Sequence, residues 1–228
     1  MSSARSHRGF TLIELMVALF VMSLMAMLGW QGLDGMVRAQ ARTQERADAV
    51  LSLQVGLAQW NADLQALVQL PQLTALDWNG RALRLTRQGS VDAGEGLVVV
   101  AWTRRSVDGR SQWLRWQSPP LRTRREVDQA WGRADLWSQS PGDAERAREA
   151  VIVPLDDWQV FFHRGGSWTN PMSSDATLAA SVAPGANRQV TTGLLPDGVR
   201  LVLQLPTGQA IGGTLTTDWV SPRVGGTQ

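Results

Sequence analysis

Gly9-Phe10-Thr11-Leu12-Ile13-Glu14-Leu15-Met16-Val17-Ala18-Leu19-Phe20 decides how this chain is read, because it opens an apolar run that continues to Trp30. Met1 to Arg8 is short and polar, with Arg5, His7 and Arg8 clustered just before Gly9. As helix, residues 10–30 rise about 32 Å, enough to cross a hydrocarbon core about 30 Å thick. Glu14 is the lone charge in that span. Burying a carboxylate in lipid costs roughly 2.5 to 3.5 kcal/mol on insertion scales, so something must compensate it. Arginines on the amino side predict that this end stays cytoplasmic and the rest is translocated.

Two simpler segments fit less well. A secretory signal peptide has a shorter apolar region with its cleavage site after it, and no carboxylate inside. A plain single-pass anchor has no use for Glu14. The string Gly9-Phe10-Thr11-Leu12-Ile13-Glu14 instead resembles the processing motif of type IV prepilins and type II secretion pseudopilins. That resemblance implies a nine-residue leader, cut between Gly9 and Phe10 by a membrane-embedded prepilin peptidase that then methylates the new amino group of Phe10. It also implies that the Glu14 carboxylate pairs with a neighbouring subunit's N-terminal ammonium during assembly. The physics agrees: an intramembrane ion pair relieves two desolvated charges at once, and the helix macrodipole favours an anion in the first turns.

No proline occurs between Phe10 and Pro71, so one helix can continue out of the membrane. Gly29, Gly32 and Gly35 are places where it could soften, each costing about 1 kcal/mol relative to Ala. Val50, Leu53, Leu57, Trp60, Leu64 and Leu67 alternate steps of three and four, an apolar stripe expected to dock the helix on a sheet. After Pro71 the pattern turns to period two. Asn79-Gly80 and Asp108-Gly109 read as hairpin turns. Strands are expected around residues 83–85, 97–103, 111–117, 151–153, 158–163, 199–205 and 209–219. A short helix is expected within 131–150, after Pro141-Gly142-Asp143. Residues 171–197 read as a long loop and 221–228 as a loose tail. The expected class is α+β: a long N-terminal helix, membrane-spanning in its first half and amphipathic in its second, packed on a mainly antiparallel, β-rich, pilin-like head. The divisions are 1–9 leader, 10–30 transmembrane helix, 31–70 amphipathic extension and 71–228 head.

Four head segments carry a second resemblance. They are Asp63-Leu64-Gln65; Leu97 to Arg105 with Trp102; Trp158-Gln159-Val160-Phe161-Phe162 followed by Gly166-Ser167-Trp168 and Pro171; and Leu195-Pro196-Asp197-Gly198-Val199-Arg200-Leu201-Val202-Leu203. In this order, with Gly32-Leu33-Asp34-Gly35 past the membrane, they resemble the J-type minor pseudopilins of type II secretion. The resemblance implies a structural subunit anchored in the bacterial inner membrane with a periplasmic head. Its implied place is the tip of a short pseudopilus, beside I- and K-type minor pseudopilins, where it helps initiate assembly of the major pseudopilin. A minor pilin of a type IV pilus is the neighbouring alternative.

Composition narrows the rivals. The pI near 10.7 is not a nucleic-acid signature, because Lys, Tyr and Cys are absent and nothing but Arg titrates at high pH. The formal charge is +2, and losing Arg5 and Arg8 with the leader leaves the side chains neutral. Arg104-Arg105 and Arg122-Thr123-Arg124-Arg125, near Trp102, Trp113, Trp116 and Trp131, could imitate a basic, aromatic nucleic-acid groove. The plainer expectation is solvated strand edges with Trp filling the core, and no nucleic-acid partner. Without Cys there is no disulfide, thiol nucleophile or thiolate site. Asp156, Asp157 and His163 are the nearest approach to a catalytic or metal-binding fragment, and a turn explains the two aspartates as well. No catalytic residue, metal or cofactor is expected.

Overall fold

A computed structural model describes residues 11–89, 96–172, 195–208 and 211–222. The chain divides into two compact units, Met1–Asp48 and Ala49–Gln228. Helix α1 (Leu12–Gln65) supplies residues to both.

In the first unit the helix runs unbroken through Gly29, Gly32 and Gly35, where a Cβ would meet nothing within 4 Å. These glycines therefore neither break the helix nor answer to packing among the described residues. Nearly every side chain from Leu12 to Asp48 is exposed. Polar groups are satisfied locally: the Ser23 hydroxyl donates to the Phe20 carbonyl at 2.8 Å, Arg38 pairs with Asp34, and Gln44 donates to Asp48 at 2.8 Å. Such i,i+3 and i,i+4 partners are helix neighbours.

Among its described residues the second unit contains two antiparallel sheets. Sheet A has the order β1 (Leu76–Trp78), β2 (Ala82–Gln88), β3 (Leu97–Val107), β4 (Arg110–Gln117), β5 (Glu149–Pro154). Sheet B has the order β7 (Ser167–Thr169), β6 (Asp157–Arg164), β8 (Gly198–Leu205), β9 (Gly213–Val220). The expected turns sit where their chemistry puts them. Asp108 and Gly109 both adopt positive φ, the requirement of the tight hairpin turn that joins β3 to β4. At β1–β2, Gly80 alone takes positive φ, while the Asn79 side-chain oxygen accepts from the Arg81 and Ala82 amides.

Sheet A is covered on both faces. On one, Leu53, Trp60 and Leu64 of α1 join Trp102, Trp113, Leu83 and the inner face of sheet B in one apolar cluster. On the other, α2 (Arg124–Gln139) lays Val127, Ala130, Ala134 and Trp137 against Val99, Ala101, Leu114 and Trp116. This double cover explains why β3 is apolar without alternation from Val98 to Ala101: side chains on both faces must enter a core. Helix α3 (Asp143–Arg146) is the short helix expected after Pro141-Gly142.

Three expectations are corrected. Residues 124–139 form a helix, not the solvated strand edge expected around Arg122–Arg125; Thr123 caps it, accepting from the Glu126 amide while the Glu126 side chain accepts in return. Arg104 and Arg105 lie on the central strand β3, not on an edge. The helix expected to reach residue 70 ends at Gln65, because Val68 turns away to donate to the Thr86 carbonyl at 3.1 Å and Leu67 bridges to Arg87. The loop and tail expectations fall largely outside the described residues, at 173–194 and 223–228.

Candidate functional site

The residues singled out at the amino terminus divide at the edge of what is described. Gly9 and Phe10 lie outside it; Thr11 and Glu14 lie within. Thr11 precedes the first turn of α1, and its hydroxyl oxygen faces the Glu14 amide at 3.4 Å and the Glu14 carboxylate at 3.5 Å. Thr11-Leu12-Ile13-Glu14 thus has the spacing of a capping box, with Glu14 at the third helical position, where the exposed N–H groups and the macrodipole favour an anion. The same carboxylate opens a helix long and apolar enough to cross a membrane. A hydroxyl partner does not neutralise it, so in lipid its charge still calls for a cation.

At its other end α1 is held to the head by a buried carboxylate. Asp63 is fully buried. Its Oδ2 accepts from the Trp102 indole at 2.9 Å and from Arg115 Nε at 2.8 Å. Its Oδ1 accepts from Arg115 Nη2 at 2.9 Å and from the Gln59 amide at 2.9 Å, with Arg87 Nε at 3.3 Å. The two-point grip of Arg115 matches carboxylate geometry, which makes such pairs directional as well as strong. Burial lowers the Arg87 pKa from its usual value, against the pull of Asp63 and aided by Arg115. Residues from β2, β3 and β4 therefore converge on one helical side chain. Next to it, Trp60 packs edge-on to Trp102 at 5.5 Å and to Trp158 at 6.4 Å. Gly56 gives the close approach: a Cβ there would stand 2.2 Å from the Ile152 side chain on β5.

Among the described residues, several side chains considered for rival sites are engaged elsewhere. Trp102, Trp113 and Trp116 are buried in the two cores and offer no face to a base. Arg105 is committed to Glu149 at 2.6 Å, which also accepts from the Trp137 indole at 2.7 Å. Asp157 and His163 sit at opposite ends of β6, about 20 Å apart at strand rise. His163 faces Asp197 at 3.8 Å and the Trp168 ring at 5.1 Å, while Asp157 lies 4.0 Å from Arg104. Among the described residues no cluster of three or more His, Asp or Glu is placed to hold a metal. The Asp63 network is not legible as such: the aspartate stands out in sequence, but its partners on the sheet lie 24 to 52 residues away and only folding shows them.

Residues 4–30 match the family model described as the prokaryotic N-terminal methylation motif. Along 215 residues the chain is 21% identical to type II secretion system protein J of Vibrio cholerae serotype O1, covering 90% of this chain and 84% of that protein. A chain in the crystal structure of the GspK-GspI-GspJ complex from the enterotoxigenic Escherichia coli type 2 secretion system aligns with a TM-score of 0.43 at 17% identity, over 75% of this chain and 96% of the other. With a methylation motif at its amino end and likeness to protein J along most of its length, the chain resembles the prepilin-type proteins, and among them the J-type pseudopilins.

Proposed function

We propose that this protein is a minor pseudopilin, a structural tip subunit of a type II secretion pseudopilus that helps initiate its assembly for export across the outer membrane. The observation that supports this best is a methylation motif leading into an apolar span, residues 10–30, whose lone charge is Glu14. Prepilin peptidase removes residues 1–9 and methylates Phe10. The Arg5 and Arg8 side hold the amino end in the cytoplasm, α1 crosses the inner membrane once, and the head stands in the periplasm. Neighbouring I- and K-type minor pseudopilins and the major pseudopilin are the partners. The chain performs no catalysis; its work is binding energy, from helix packing in lipid and from the Glu14 ion pair with an incoming ammonium.

Replacing Glu14 with Leu tests this reading. The variant is expected to be cleaved, to fold its head normally and to lose co-purification with partner pseudopilins. Wild-type recovery of partners by Glu14→Leu would overturn the ion-pair role.

A further inference from the structure

The turn between β1 and β2 carries a pair of residues with chemistry of its own. Of the four asparagines, Asn61, Asn79, Asn170 and Asn187, only Asn79 is followed by glycine. An asparagine side chain is open to attack by the backbone nitrogen of the next residue, and glycine, with no Cβ, leaves that nitrogen unhindered. Gly80 is exposed and takes φ +83°, with Asn79 half-buried beside it.

Water is the only co-reactant this reaction needs. The Gly80 nitrogen, having lost its proton, bonds to Asn79 Cγ; the Cγ–Nδ2 bond breaks and Nδ2 leaves as ammonia, taking up a proton. The cyclic imide then adds a water and opens to aspartate or isoaspartate. Attack requires the side-chain amide to swing free and turn the face of Cγ to the nitrogen. In the folded turn that amide is held at both ends. Asn79 Oδ1 accepts from the Arg81 and Ala82 amides at 3.0 and 2.9 Å. Asn79 Nδ2 donates to Asp135 Oδ1 on α2 at 2.8 Å. Asp135 is itself fixed: Gln139 donates to its other oxygen at 3.0 Å, and Arg84 Nη1 lies 3.4 Å away. The two turn amides move with the turn, whereas Asp135 stands 56 residues away on another element and accepts with a full charge.

We propose that Asn79 is a deamidation site that the docking of α2 holds closed, with Asp135 as its latch. Where α2 lifts away, the amide loses its distant partner and the reaction proceeds. The change runs one way. The product carboxylate faces Asp135 where a donor stood, and like charges so close repel; isoaspartate also lengthens the backbone of a tight turn. Each step depends on this turn and on α2, not on the secretion role.

Full-length protein in detergent, warmed in mildly alkaline buffer, reports the reaction as the amide-to-acid mass gain on the peptide that holds Asn79. In urea, with the head unfolded, Asn79 is expected to convert ahead of the other asparagines. The folded wild type is expected to convert far more slowly. Asp135→Ala is expected to speed conversion of the folded protein about tenfold, the scale of one hydrogen bond to a charged group, with an unchanged near-ultraviolet tryptophan spectrum. Where that variant loses the spectrum, Asp135→Asn, equal in size and uncharged, takes its place with a smaller acceleration expected. Asn79→Asp, which carries the product's side chain, is expected to lower the head's denaturant midpoint. Conversion of the folded wild type at the unfolded rate, no acceleration in the folded Asp135 variant, or a wild-type midpoint for Asn79→Asp would each overturn the proposal.

Discussion

Residues 12–48 of α1 expose nearly every side chain, whereas residues 49–65 bury Leu53, Gly56, Trp60, Asp63 and Leu64. Residues 12–30 and 49–65 are both rich in apolar side chains, so composition alone does not separate those two parts of the helix. Periodicity does. In residues 12–30, apolar side chains surround the helix, which suits a lipid solvent on all sides. In the second the buried apolar positions, Leu53, Gly56, Trp60 and Leu64, fall at steps of three and four, and Gln54 and Gln65 beside them are exposed. The single carboxylates differ in the same way. Glu14 has a hydroxyl beside it and, among the described residues, no cation paired with it; Asp63 has two guanidiniums and an indole. In the proposed function the first charge is left for another chain; the second is consumed in folding this one.

That contrast predicts which substitutions unfold the head. Trp60→Ala is expected to cost about 3 to 5 kcal/mol, since it empties the centre of an aromatic cluster. Leu28→Ala, in the exposed stretch, is expected to leave the head's denaturant midpoint unchanged. Equal losses from the two, measured by tryptophan fluorescence in denaturant, would break the comparison. Asp63→Asn keeps the shape but leaves Arg87 and Arg115 without a counter-charge, and about 3 kcal/mol is expected in the same assay. An effect under ~1 kcal/mol would mean that the network adds direction but little stability.

The smallest effect concerns α2. Thr123→Ala is expected to cost about 1 kcal/mol through loss of the cap. The Glu126 carboxyl is held below its ordinary 4.5 by the Arg122 and Thr123 amides that donate to it. A lowered folded-state pKa contributes stability that is present above the unfolded value and is lost as pH falls through the folded one. The Glu126 contribution, read as the stability difference between wild type and Glu126→Gln, is therefore expected to shrink below about pH 4.5. A difference that grows with acid would contradict the cap geometry.

Much of this fold is legible from residue order because its signals are local. The Gly9 to Trp30 run, the stripe from Leu53 to Leu64, and the Asn79-Gly80 and Asp108-Gly109 turns each act within a few residues. Helix α2 is harder to see: its buried face is built from Ala130 and Ala134, and arginines crowd its start, so large apolar periodicity is weak. Its readable signal is Thr123 three residues before Glu126, the capping box itself. The division of the strands into two sheets, and the gathering of Arg87, Trp102 and Arg115 on Asp63, depend on pairings between distant segments that no window of sequence contains.

Intact-mass and amino-terminal peptide analysis of the protein recovered from membranes tests the central claim most directly. The expected product begins at Phe10 and carries one methyl group on its α-amine, placing an ammonium four residues from Glu14. A product that begins at any other residue, or at Phe10 without the methyl group, would contradict it.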